Sequence, residues 1–317
     1  MARLDLLTPG EICTNEECWA EGRLLQHPDD DADVQTVLDQ IRVHDLAAGF
    51  TEAIRASIDY VLDGARTSRF DLLSPKVHPG ERASVGAKLE YEVQRVFGWK
   101  KAKPLDILLG GVPVDLKATV GDNWAIPSEA HCRLCLCTQI QLKNQRHRTW
   151  LVRAHTAWLY RGKGNKDGKR GLAVQAREEW AVPLYDWAPL PVNPLVNLSE
   201  DQADEVLADK PGQQARLRMM FSYLPDTVIP RSVITTVCAG NEDPLRRVRA
   251  IRERMQKEQG LLLLCGKWPL ERKLAARYGF ALGNSSWVAV SPAKRAELGD
   301  STTDGETLWE AEDDAGS

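Results

Sequence analysis

The chain has 317 residues, 43% hydrophobic and 27% charged, which is the balance of a folded globular protein, and its length favours two unequal domains. No apolar run is long enough to span a bilayer, the start MARLDLLTPGE carries no secretory pattern, and the seven cysteines follow no disulfide framework; reduced thiols in the cytoplasm, with no membrane partner, are expected. The formal charge of −4 does not exclude nucleic acid, because the tail from Asp300 holds seven acidic residues and no basic one, and without it the balance is +3.

Residues 1 to 35 contain Cys13, Cys18 and the acidic run Asp29, Asp30 and Asp31 with little periodicity, and they read as a loosely held N-terminal arm. From Val34 to Leu62 apolar residues recur at helical spacing (Val37, Leu38, Ile41, then Ile54, Ile58, Val61, Leu62), which predicts two helices split near Ala48-Gly49. Leu89, Val93, Val96 and Phe97 predict an amphipathic helix over Ala87 to Trp99, with Glu90 at the edge of its buried stripe. Strand-like runs follow at Leu105 to Leu109, Gly111 to Thr119, Arg133 to Leu142 and Thr149 to Tyr160, so the first domain, residues 36 to 185, is expected to be mixed α/β.

The glycine-rich basic segment RGKGNKDGKR, residues 161 to 170, reads as a solvated loop. The proline-rich stretch PLYDWAPLPVNP, residues 183 to 194, breaks all periodicity and marks a linker at 186 to 193. A second domain, residues 194 to 298, opens with helical patterns at Ser199 to Ala208 and Gln213 to Tyr223. The run Ser232 to Ala239 fits a helix or a strand; after Gly240-Asn241-Glu242, Asp243-Pro244 is an N-cap followed by proline at the first helical position. Leu245, Val248, Ile251 and Met255 mark the buried face of a helix ending near Gly260, leaving Arg246, Arg247, Arg249, Arg252 and Arg254 off that face, before the strand-like Leu261 to Cys265. Residues 299 to 317 form the acidic tail.

The chemistry lies in LDILLGGVPVDLK, residues 105 to 117. Alternation along a strand puts Asp115 and Lys117 on one face, and a return at Gly110-Gly111 brings Asp106, nine residues before Asp115, towards it. Phosphodiester hydrolysis needs such groups: hard oxygen ligands hold Mg²⁺ against the charge that develops on phosphate, and a lysine orients or activates water. Asp-x-Lys alone is a weak pattern that solvated strand faces also carry. The order helix with Glu90, then Asp106, glycine turn, Asp115 and Lys117 is that of the PD-(D/E)xK nuclease core.

On GAKLEYEVQRVF, DILLGGVPVDLK and NWAIPSEAHCRLCL (with Trp124, Pro127 and Glu129), and further through GQQARLRMMF, IPRSVITTV, DPLRRVR and GLLLLCG, the sequence resembles the NaeI-type (type IIE) restriction endonucleases over roughly residues 35 to 292. The N-terminal arm is a departure from that pattern. The resemblance implies a restriction-endonuclease-like fold with Asp106 and Asp115 as Mg²⁺ ligands, Glu90 as a further acidic member and Lys117 as the water-positioning amine. It also implies a homodimer that cuts double-stranded DNA, and a C-terminal helix-turn-helix module, similar to that of the catabolite activator protein, that binds a second DNA copy as effector. Arg246, Arg247 and Arg249 on the second helix would then reach DNA.

His131, Cys132, Cys135 and Cys137 also invite a zinc reading, but they sit in a strand-like run without a second spaced pair, and core thiols are the expectation. Two other functions compete with restriction: a non-cutting DNA-binding regulator that retains a nuclease fold, against which the intact quartet argues, and a repair nuclease, which mismatched and intact duplexes would separate.

Overall fold

In the computed structural model, which describes residues 6–161, 164–165, 167–239, 243–299 and 309, the chain forms two compact units. The first comprises Met1–Val61 and Leu72–Pro191, the second Leu62–Asp71 and Val192–Ser317.

The helices of the N-terminal half are α1 (Ala32–Ile41), α2 (Leu46–Leu62), α3 (Gly64–Thr67), α4 (Pro79–Phe97) and α5 (Val174–Trp180). The strands there are β1 (Lys100–Lys101), β2 (Ile107–Leu109), β3 (Val112–Thr119), β4 (Ala125–Ile126), β5 (Leu134–Gln141), β6 (Arg146–Arg153), β7 (Arg170–Gly171), β8 (Val182–Pro183) and β9 (Ala188–Pro189). Seven of the strands make one sheet in the order β1-β2-β3-β5-β6-β8, with β9 also on β6, while β4 and β7 pair separately. Within the seven-stranded sheet β3 and β5 run parallel and the other pairs antiparallel.

The helix pair at 32–62 parts at residues 42–45, not at Ala48-Gly49. Gly49 lies inside α2 because the Phe97 ring packs against it: a Cβ there would stand 2.3 Å from a ring carbon. The glycine serves close approach, not a helix break. Part of the proline-rich stretch is likewise sheet edge rather than spacer. Pro183 pairs with Trp150 and Pro189 with Arg146, and an edge tolerates residues that lack an N–H.

Residues read as a loose arm are packed into the first unit. Cys13 and Leu25 are fully buried in a cluster with Trp124, Cys135, Cys137 and Trp158. Asp31, from the acidic run, caps α1 by accepting from the backbone N–H groups of Asp33 and Val34, and it also accepts from Arg153 Nε at 2.6 Å. That buried guanidinium fixes the start of α1 to β6.

The second unit adds α6 (Glu200–Leu207), α7 (Gln213–Tyr223), α8 (Arg231–Val237), α9 (Pro244–Arg249), α10 (Arg252–Gln259), β10 (Leu262–Cys265), α11 (Pro269–Arg277), β11 (Trp287–Val290) and α12 (Pro292–Glu297). The run 232–239, open between helix and strand, is helical over Arg231–Val237. Asp243 caps α9 by accepting from the Arg246 N–H, with Pro244 at the first position, as its residue types imply. The expected single helix to Gly260 is instead two, α9 and α10, with residues 250–251 between them. Gly240, Asn241 and Glu242 lie outside the described residues, as does the acidic tail beyond Gly299 apart from Trp309.

The antiparallel strands β10 and β11 are buried on both faces, which is why GLLLLC reads as unbroken hydrophobe. Leu263 and Cys265 meet the core of Leu217, Phe221, Val237 and Met255, while Leu262 and Leu264 meet Leu274, Tyr278 and Trp309. Among the described residues no helix is long and apolar enough to cross a membrane.

Candidate active site

The β2–β3 hairpin turns on Gly110 and Gly111 at φ 58° and 88°, the two positive values that a two-residue turn of this hand requires. Gly110 has a second reason to lack a side chain: a Cβ would lie 2.6 Å from the Thr36 methyl group. The turn fixes a register in which Ile107 faces Val114, so Asp106 and Asp115 stand at the next position of the ladder. β5 holds β3 from the other side, with Asp115 beside Cys135 and Lys117 beside Cys137.

This places three of the four expected side chains in contact. Lys117 Nζ is 2.8 Å from Asp115 Oδ2 and 3.8 Å from Asp106 Oδ2, and it donates to the Leu116 carbonyl at 3.0 Å. Asp106 is itself held, its Oδ2 accepting the Leu116 N–H at 2.7 Å. The lysine is thus presented by the strand that carries one carboxylate and faces the other.

Glu90 comes from α4. That helix starts with a reciprocal cap between His78 and Glu81, has Pro79 in its first turn and ends at Gly98 with φ 66°. It buries Val85, Leu89 and Val93, and Glu90 sits half-buried at the stripe's margin. There it shares a cavity with Gly86, Leu89, Leu116, Lys117 and Ala118.

Electrostatically the site has too many carboxylates for its cations. Burial, then the negative charge of Asp106, raises Glu90 to about 7, with Lys117, Lys101 and Lys169 offsetting part of the rise. Asp115 is also raised to about 7, by burial first and by Asp106, against the pull of Lys117. Burial alone would lower Lys117, but the charges of Asp115, Asp106 and Glu90 outweigh it and hold the ammonium protonated. Asp115 Oδ2 is buried, with the Lys117 ammonium 2.8 Å away. A hard donor set of three carboxylates with a surplus of negative charge fits a divalent cation bound by oxygen.

A protein-family model, restriction endonuclease NaeI, matches residues 37–310. The chain belongs to the NaeI restriction endonuclease family. No curated protein matches it. The NaeI family assignment makes the chain a DNA-cleaving nuclease, and it covers β2, β3 and α4 together with the whole second unit to α12.

Arg246, Arg247 and Arg249 are exposed on α9, a place open to a partner. Arg252 and Arg254, also read as facing outward, differ from each other. Arg254 is exposed, whereas Arg252 is buried, pairs with Glu271 at 3.1 Å and lies over the Trp268 and Trp287 rings. Trp124 is a core residue whose Nε1 donates to the Thr138 carbonyl at 2.8 Å, and Glu129 is exposed. Lys101 and Lys169, not singled out in the sequence, contribute to the field at Glu90; Lys169 lies in the basic loop, and the sign and position of that loop were the available signal.

Proposed function

We propose that the protein is a magnesium-dependent type II restriction endonuclease that hydrolyses double-stranded DNA at a short specific site. Glu90, Asp106 and Asp115 are the metal-holding carboxylates and Lys117 the amine that positions the attacking water. The observation that carries this reading is the Lys117 ammonium standing against Asp115 and facing Asp106 on one hairpin. When bound, Mg²⁺ supplies charge neutralisation at the scissile phosphate. The protein's own part is to hold Asp106 and Asp115 on the hairpin with Glu90 on α4, and to keep the Lys117 ammonium protonated beside them. The Leu116 N–H holds the Asp106 carboxylate in place.

We further propose that the chain works as a homodimer and that its second unit binds a second DNA copy as activating effector. Support comes from the succession of α8 and the cationic α9, with Arg246, Arg247 and Arg249 exposed, in a unit separate from the carboxylate site. A helix-turn-helix would present α9 to a groove.

The test is single-turnover cleavage of plasmid DNA with Mg²⁺. Asp115→Ala and Lys117→Ala should lose cutting while still binding DNA in a gel-shift measurement. Unchanged single-turnover rates in either variant would overturn the site.

A further inference from the structure

Cys132 does not share the fate of the core thiols Cys135 and Cys137. It sits just before β5 with φ 61°, so its sulfur joins a different group of residues. Cys13 Sγ, Cys18 Sγ, Cys132 Sγ and a ring nitrogen of His155 all lie within 4.8 Å of one another, with Cys13, Cys132 and His155 buried. The nearest pairs are Cys13 Sγ to Cys132 Sγ at 3.7 Å and Cys18 Sγ to His155 Nδ1 at 3.6 Å. A tetrahedral zinc with bonds of about 2.3 Å to sulfur and about 2.0 Å to nitrogen has S···S edges of about 3.8 Å and S···N edges of about 3.5 Å. The two nearest spacings match those edges, and the remaining pairs lie within 4.8 Å. They are too long for a disulfide and leave no room between the donors for an iron–sulfur cluster.

We propose that Cys13, Cys18, Cys132 and His155 hold a structural zinc ion. The backbone is arranged for that purpose in two pieces. Residues 10–25 fold back on themselves, with the Cys13 N–H donating to the Arg23 carbonyl and the Leu25 N–H to the Glu11 carbonyl, and they present two cysteines five positions apart. Cys132 and His155 come from the adjoining ends of β5 and β6, joined where the Cys132 N–H donates to the Ala154 carbonyl at 2.8 Å. Asn15 Nδ2 lies 3.5 Å and Thr156 Oγ1 3.3 Å from Cys132 Sγ. Donors directed at sulfur stabilise bound thiolates, and the closed set of four protein ligands suits a structural site. Cys13 and Cys18 precede residue 37, where the family match begins, so the two halves of the site come from inside and outside that match. The ion would fasten the N-terminal segment to the sheet that carries Asp115 and Lys117.

The test is metal analysis of the full chain purified without chelator, followed by replacement with Co²⁺ under reducing conditions. The expected result is about one zinc per chain and, with Co²⁺, an intense thiolate-to-cobalt charge-transfer band with tetrahedral d–d absorption. Cobalt at the carboxylate site would give neither, since that site has no sulfur. Cys13→Ser and Cys132→Ser should lose the zinc and the band, whereas Cys265→Ala in the second unit should keep both. Should the serine variants fail to fold, the wild-type cobalt spectrum decides. Wild-type protein without zinc and without the charge-transfer band, or serine variants that retain full zinc, would overturn the proposal.

Discussion

Glu271 in the second unit and Asp115 in the first are both buried carboxylates, and they are treated oppositely. In the second unit Glu271 is fully buried; it faces Arg252 at 3.1 Å and accepts the Cys265 N–H at 2.5 Å, while the guanidinium lies over tryptophan rings. In the first unit Asp115 is almost as buried, but it shares one lysine with Asp106 and Glu90, and both Asp115 and Glu90 are pushed up to about 7. A buried charge that is matched serves stability. One left under-compensated costs stability and is kept for what it binds.

The largest effect expected from this contrast is on catalysis. Asp106→Asn keeps an acceptor for the Leu116 N–H but removes charge, so cutting should fall on the order of 10²–10⁴-fold with little change in unfolding midpoint. A large stability loss with modest loss of cutting would reverse the assignment. Next is Glu271→Ala, which strands the Arg252 charge in the core and should cost about 3–5 kcal/mol in urea unfolding. A cost well under 1 kcal/mol would break the comparison from the other side.

Glu90→Gln should act with the opposite sign. A carboxyl raised in the folded state binds a proton that the unfolded chain has released, so stability is greatest below about pH 4.5 and is lost as pH climbs through about 7. Metal-free protein should therefore lose thermal stability between these values, and the variant should lose less, by on the order of 1 kcal/mol at pH 8. Mg²⁺ should narrow the gap, because the cation compensates the wild-type charge. Identical pH profiles for the two proteins would remove the electrostatic argument. The smallest effect expected is regulatory. Arg247→Ala with Arg249→Ala should reduce stimulation of one-site plasmid cleavage by added cognate duplex, severalfold, while basal cutting stays near wild type; unaltered stimulation would separate α9 from effector binding.

What could be read in the sequence followed from local rules. Two glycines between short apolar runs fix the hairpin register, and that register alone brings Asp106 towards Asp115. The caps at Asp243 and Gly260 likewise rest on neighbouring residues. What escaped depends on partners far along the chain. Gly49 looked like a break because Phe97 is invisible from helical periodicity. Arg252 read as off the buried face because its carboxylate is 19 residues away and its tryptophans, Trp268 and Trp287, also lie on later elements. The Cys13–Cys18 pair carries no visible pattern because Cys132 and His155, with which it is proposed to hold zinc, lie more than a hundred residues on. The prolines at 183 and 189 resemble a linker until β6 supplies an edge for them.

The central claim is that the carboxylate–lysine hairpin cuts DNA through a divalent cation, and fragment mapping tests it most directly. Wild-type protein and Lys117→Ala should be incubated with a plasmid of known sequence, with Mg²⁺ and with chelator, and all product ends sequenced. The account predicts discrete fragments whose ends share one short site, formed by wild type with Mg²⁺ alone. Cutting that persists in chelator, or Lys117→Ala producing the same fragments at the same rate, would contradict it.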